Sequence, residues 1–405
     1  MFNKEMSFNN KYYKILQNIF FTYLAITPIL VSIMTLLGFN KLSFKFYLLS
    51  TFIVGVYVSI DLIIEKTINY RSVLYLILCG ISIYQVFIYF SNPGFYEFYE
   101  FIQFILISLI MISFLKKDNI KKLGYFISNN IRKILFSYLI LIIYYIILFI
   151  TRIGFKYVWE GQYFQAFFEF PHQASYQFFM IQGIGLALYS LSHKNFERYF
   201  SLIIIIVSIF MNLFTGARTS FILSLLVFVP YLFEYFKKNK KILYIYIVII
   251  LLLLLINFIF KFVDIVNIPI VKKFIYSLQG NNGLFQSREF WDDLIKYFLE
   301  HYTIRDIILG KGFGVSIYIN TLSGFPGLWA HNDFIELLLS AGVIGVGVYI
   351  GILSSLFFKY RTYIVLITIV GLAFLNGFFA YAYIFPCIPI YIIAREALRK
   401  NIRRI

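Results

Sequence analysis

The sequence predicts an all-α, polytopic integral membrane protein of about 12 transmembrane helices with one long external loop. Three observations predict it. The 405 residues are 61% hydrophobic and only 14% charged, with a mean hydropathy of +0.81, more apolar surface than a soluble domain of this size buries. Apolar runs of about 18–20 residues with polar flanks recur along the chain, each long enough for a bilayer core of roughly 30 Å. They do not alternate polar with apolar residues, as the strands of a transmembrane barrel would. Lysines and arginines gather in alternate short loops, as membrane orientation requires.

The expected spans are 17–38, 44–64, 72–91, 97–115, 133–151, 172–191, 200–214, 219–236, 242–262, 330–357, 362–378 and 380–394. The run Ile19–Leu37 is longer than the apolar region of a signal peptide and has no small-residue cleavage site, so it reads as a retained first helix. Loops holding Lys66 and Arg71, Lys116–Lys133, Lys194 and Arg198, Lys237–Lys241, Lys359 and Arg361, together with the basic tail, alternate across these spans. Both termini are therefore expected in the cytoplasm, with helices one to nine in 1–262, an external loop at 263–329, and helices ten to twelve plus the tail in 330–405. SNPGFYEFYE, between spans three and four, carries acids and no bases, as an external loop should. The formal charge of +17 is explained by orientation, so nucleic acid is not an expected partner. Cys79 and Cys387 fall inside separate spans and fit neither a disulfide nor a metal motif.

Two external segments stand out. Thr151–Pro171 holds Glu169 and leads into His172. Val263–Trp329 contains SREFWDDLIKYFLE, in which Phe290, Leu294, Tyr297 and Phe298 share one helical face and Ser287 is a plausible N-cap. Such a helix could lie on the membrane surface or lid a cavity. No internal repeat is evident, so an inverted-repeat transporter gains little support.

The candidate chemistry centres on Trp329-Ala330-His331-Asn332-Asp333, where this loop becomes an apolar run. A helix N-terminus disfavours an imidazolium, which leaves His331 able to accept a proton. The competing reading is that Asn332 or Asp333 caps the helix and His331 is an interfacial polar residue. Arg218, in FTGARTSF, lies between two apolar runs on the lysine-poor side. An arginine at membrane depth marks an anionic partner or a water-filled cavity, unless it pairs with a loop acid or snorkels to lipid phosphate. Arg288, Lys272, Lys273, Arg305 and Lys311 give the long loop the capacity to meet an anion. The glycines of GKGFG at Gly310, Gly312 and Gly314 form a turn that could approach a ligand, but no βαβ context supports a dinucleotide site. His193 is expected in the cytoplasm and His301 in the loop helix. Neither they nor Glu169 and His172 show metal-ligand spacing.

In order, a GAR arginine between two spans, FQSREFW, LGKGFG and WAHNDFIELLLSAGVIGVGVYIG closely resemble the O-antigen ligase/polymerase superfamily, and most of all its O-antigen or capsular repeat-unit polymerases. The likeness covers roughly the C-terminal half. It implies a GT-C-like, metal-independent and cofactor-free glycosyltransferase in the bacterial inner membrane. That enzyme would act at the outer face on undecaprenyl-diphosphate-linked oligosaccharide and polysaccharide, among membrane lipids, with a chain-length regulator as a further partner. By motif position it makes Arg218 and Arg288 ligands of the donor diphosphate and His331 the catalytic base. Asn332, Trp291, Glu169 and His172 join them in contacting substrate. FEFPHQASYQ loosely resembles the Glu-Pro-Ser-type segment of many polymerases, with His172 following Pro171. A ligase acting on lipid A-core or another acceptor carries the same motif order. A flippase for lipid-linked units is the rival of another class; it would line a cavity with charges reaching both leaflets, whereas the long external loop and the gathering of Arg218, Arg288 and His331 on one side speak against it.

Overall fold

The computed structural model describes residues 2–38, 42–91, 97–158, 161–238, 289–324, 327, 329–360, 371, 373, 374, 377 and 386–400. Almost all of them are helical. In chain order the helices are α1 (Phe2–Leu36), α2 (Leu42–Glu65), α3 (Tyr70–Ser91), α4 (Phe98–Phe114), α5 (Lys117–Asn129) and α6 (Ile131–Ile150). A two-stranded hairpin, β1 (Phe155–Val158) and β2 (Gly161–Phe164), precedes α7 (Pro171–Leu191), α8 (Asn195–Phe214) and α9 (Arg218–Lys238). There follow α10 (Glu289–His301), α11 (Ile304–Leu309), α12 (Val315–Leu322), α13 (Asp333–Tyr360) and α14 (Cys387–Lys400).

Among the described residues six helices are long and apolar enough to cross a membrane, and the pair α4–α5 makes a seventh if its 94° bend is taken within one span. The all-α polytopic class holds. The expected count of twelve is not reached: span 242–262, most of 362–378 and the start of 380–394 lie outside the described residues. At the expected span 172–191, α7 is present, but its glutamines and serines keep it below that apolar measure.

The chain divides into two compact units. The first joins Met1–Phe126 to Ser287–Pro389. Its centre is α4, buried on every side from Glu100 to Phe114, which is what a helix apolar all round requires. Helices α2, α3 and α13 pack around it. The basic stretch after α4, expected as a loop, is instead the amphipathic α5. It buries Ile120, Leu123 and Ile127 and turns Lys117, Lys121 and Lys122 outward.

An ionic knot holds the corner between α4 and α5. Asp61, fully buried, takes Arg71 at 2.5 Å and Lys116 at 2.9 Å, and Arg71 also reaches Glu65 at 3.1 Å. The Arg71 Nε donates to the Ile112 carbonyl and Asn119 to the Ser113 carbonyl. These two carbonyls in the last turn of α4 also accept from the backbone just beyond the helix, Ile112 from Leu115 N–H at 3.2 Å and Ser113 from Lys116 N–H at 3.5 Å.

The second unit joins Ile127–Gln286 to Ile390–Ile405. Here α7 is the buried element, packed closely on α8 and flanked by α6 and α9. Close approach is possible because Gly185 lies against Ile204, Ile205 and the Ser201 carbonyl. The α6–α7 connection, expected as an irregular external loop, contains the antiparallel hairpin, with Phe155 opposite Phe164 and Lys156 opposite Tyr163.

Candidate functional site

In the first unit the site is built on the junction of residues 329–333. Helix α13 starts at Asp333, and Asn332 is its N-cap: its Oδ1 accepts from the N–H groups of Phe334 at 2.9 Å and Ile335 at 3.1 Å. Its Nδ2 donates to the Phe374 carbonyl at 3.2 Å. The capping alternative therefore describes what this amide does. His331 sits one residue earlier, half-buried, with φ of 51°, a left-handed conformation that is uncommon outside glycine and in which His is enriched. Its ring centroid lies 4.7 Å from that of Trp329.

That conformation is fixed from both sides. The indole N–H of Trp291, in α10, donates to the Ala330 carbonyl at 2.6 Å. The Ala330 N–H donates to Glu336 Oε2 at 3.1 Å, and the Ser316 hydroxyl donates to the same oxygen at 2.5 Å. Asp333, fully buried, accepts from the Tyr349 hydroxyl at 2.6 Å. A strained residue persists where its neighbours are over-determined, and such positions cluster at functional sites.

The glycine-rich segment does a different job from the one its sequence suggests. Helix α13 is broken at Gly342, where φ is 66°. The break frees the carbonyls of Leu339 and Ser340, and the turn after α11 takes them: Lys311 N–H donates to Leu339 at 3.0 Å and Gly312 N–H to Ser340 at 2.9 Å. The Tyr302 hydroxyl adds a bond to Leu339 at 2.8 Å and Gln85 one to Ser340 at 2.8 Å. Burial, and then the nearby Glu336, push the Tyr302 hydroxyl well above the ordinary phenol range, so it remains a donor. A side chain at Gly310 would collide with the Ser340 backbone, and one at Gly342 with the Ile308 backbone. These amides of GKGFG are thus committed to α13.

Lys311 is committed as well. Its Nζ donates to the His301 carbonyl at 2.7 Å and lies 4.6 Å from the Tyr302 ring centroid. Arg305 sits 5.8 Å from the Tyr84 ring centroid. The apolar face of α10 packs inward: Leu294 is buried with Val315, Ile319, Ala330 and Leu339, and Trp291, Tyr297 and Phe298 pack against that cluster. The helix therefore braces the junction with the face expected to meet a membrane or lid a cavity. Arg288, Ser287, Lys272 and Lys273 lie outside the described residues.

In the second unit, Arg218 opens α9, half-buried, directly after the Thr215-Gly216-Ala217 turn, in which Gly216 takes φ of 69°. Buried polar groups fix that turn. Asn212 Oδ1 accepts from the Ser175 hydroxyl at 2.5 Å, Asn212 Nδ2 donates to Ser224 Oγ at 2.9 Å, and Thr215 Oγ1 donates to the Asn212 carbonyl at 2.8 Å. Ser175 also bonds Ser220. A cation in the first turn of a helix is opposed by the macrodipole, and the same end attracts anions. Glu169 is exposed ahead of α7 and His172 is half-buried in its first turn. The N–H groups of Glu169 and Phe170 donate to Gln173 Oε1.

Reading residues in order missed Glu100, Trp291's tether and the acceptor role of Glu336. Glu100, buried in α4, is close enough to Glu336 for the two carboxyls to interact, and Glu100 Oε2 and Glu336 Oε1 have no hydrogen-bond partner among the described residues. The signal for Glu100 was an acid inside an otherwise apolar helix. Among the described residues no group of three His, Cys, Asp or Glu side chains could hold a metal ion, and Cys79 and Cys387 are free thiols.

The fold and this junction define a class, a multi-pass α-helical membrane protein with a pinned, strained histidine where an apolar helix begins. Residues 203–350, from α8 into α13, match the family model described as O-antigen ligase, which supports the likeness to the O-antigen ligase/polymerase superfamily. The comparison with curated proteins finds no match.

Proposed function

We propose that this protein is a surface-polysaccharide polymerase. It moves a growing glycan from undecaprenyl diphosphate to the non-reducing end of a lipid-linked repeat unit, at the outer face of the bacterial inner membrane. The observation that carries the proposal is His331 held at φ of 51° between a tethered Ala330 and a capping Asn332, inside the stretch that matches the family.

The acceptor hydroxyl is a poor nucleophile. As its oxygen bonds to the donor C1, its proton passes to the His331 imidazole, a step that typically contributes 10²–10⁴-fold. The bond from C1 to the diphosphate oxygen breaks, and the lipid diphosphate leaves with the electron pair. Arg218, with the N–H groups opening α9, suits that developing charge, since guanidinium contacts are permanent and bidentate. Arg288 takes the same role by motif position. Direct displacement inverts the anomeric centre, and no metal is needed for the leaving group. Trp291, Asn332, Glu169 and His172 are the proposed further substrate contacts. Both termini face the cytoplasm in this scheme, with the external loop at 263–329 and a GT-C-like architecture.

A ligase reading has its own support, because the matching family is described as O-antigen ligase. Deleting the gene and resolving the surface polysaccharide on a gel separates the two. Loss of long chains with a single repeat still transferred is the expected result. Polymer accumulating on the polyprenyl carrier would instead identify a ligase.

A further inference from the structure

The far end of α13 from His331 carries a second feature that glycan transfer does not use. A cavity of about 440 Å³ opens in the first unit between Arg71, Lys116, Lys117 and Lys359, with Glu65 and Asp118 on its wall. Two of these cations are occupied internally. Arg71 bonds Asp61 and Glu65, and Lys116 bonds Asp61. The other two are not: among the described residues Lys117 and Lys359 make no ion pair. Lys359 is half-buried, with the like charges of Lys117 and Arg71 acting on it ahead of the opposing charges of Glu65 and Asp118. Like charges gathered at a partly dehydrated wall repel, and a bound anion offsets that repulsion. Tyr70 and Ser355 also line the cavity, with the Ser355 hydroxyl donating to the Gly351 carbonyl at 2.7 Å.

The position of the cavity indicates the kind of anion. Its walls are the ends of apolar helices: Glu65 closes α2, Tyr70 opens α3, Leu115 follows α4, and Lys359 lies in the last turn of α13. At that level α5 turns away from α4 by 94°, as a helix does when it lies along a membrane surface. Lipid phosphates sit at that depth. We infer that this cavity binds a phosphate-bearing anion, supplied by the headgroup of an anionic phospholipid, with Lys117 and Lys359 as its ligands.

The test uses the full-length protein in detergent, with its thermal midpoint followed against added phosphatidylglycerol, phosphatidylcholine or inorganic phosphate. Phosphatidylglycerol should raise the midpoint where phosphatidylcholine does not. Lys117→Ala and Lys359→Ala should each weaken its apparent affinity about fivefold, from the roughly 1 kcal/mol that a basic residue contributes at an anionic surface. Lys121→Ala, on the same helix but off the cavity wall, should leave it unchanged. Lys117 is exposed, so its variant keeps the test open even if Lys359→Ala folds poorly. Equal stabilisation by inorganic phosphate, with the same dependence on Lys117, would keep the site and assign it a soluble ligand. Stabilisation that survives both alanine variants, equal stabilisation by phosphatidylcholine, or none from any addition would overturn the site.

Discussion

The indole N–H of Trp291 and the carbonyl of Ala330 meet at 2.6 Å, which ties the loop helix α10 to the residue before the candidate base. Trp291→Phe keeps an aromatic ring against the Leu294 cluster and removes the donor together with the smaller ring of the indole. The hydrogen bond itself contributes about 1 kcal/mol, so the protein should still insert and fold. Its product should nevertheless fall, by up to about 10²-fold, because a displacement near 1 Å at the reacting centre can cost that much. Purified variant, lipid-linked repeat units and a chain-length gel read this out. Unchanged output would mean that Trp291 braces the loop without positioning His331.

Glu336 makes a different prediction because a single oxygen accepts both the Ala330 N–H and the Ser316 hydroxyl. Glu336→Ala leaves these two buried donors unsatisfied, at about 1–3 kcal/mol, and should lower the thermal midpoint clearly. Glu336→Gln retains a carbonyl acceptor and should recover most of that loss. If Gln is as damaging as Ala, the carboxyl is required for its charge or proton, and the neighbouring Glu100 becomes the next residue to change.

Much of this was legible in the sequence, for reasons that lie in the periodicity of burial. The apolar runs and the amphipathic face of SREFWDDLIKYFLE give helices over most of the described residues, whereas the basic stretch 117–129, expected as a loop, is helical as well. What failed to read was the use of polar groups over distance. GKGFG looks like a ligand-binding turn, because sequence shows its spare amides but not that Gly342 breaks α13 and exposes carbonyls for them. Lys116 and Arg71 look like solvated loop charges, because nothing local reveals that Asp61 lies between them. At the site, the junction around His331 was found from residue types alone, whereas its pinning by Trp291 and Glu336 joins residues 39 and 6 positions apart.

The break in α13 is tested by two glycines of the same helix. At Gly342, φ is 66° and a Cβ would strike the Ile308 backbone, so Gly342→Ala must shift α11 or unwind the break. Gly347 has no atom within 4 Å of where its Cβ would be, and Gly347→Ala should be neutral or gain up to about 1 kcal/mol. Thermal unfolding of the two purified variants should separate them widely, with Gly342→Ala poorly folded. Near-equal midpoints would mean that the break carries no structural constraint.

His331 can be judged by separating its backbone from its ring. A non-glycine residue at φ of 51° carries backbone strain of about 1–3 kcal/mol, which glycine does not feel. His331→Gly should therefore match or exceed the stability of the native chain, while losing the imidazole that accepts the acceptor's proton. Activity should fall by roughly 10²–10⁴-fold in a protein that melts no earlier. His331→Asn is the companion variant: asparagine tolerates the left-handed region but does not act as a base at neutral pH, so it should be equally inactive. Activity retained in both variants would reduce His331 to a turn residue and move the search for the base to the carboxyls behind it. Activity retained in Asn alone would point to hydrogen bonding at this position instead of proton transfer.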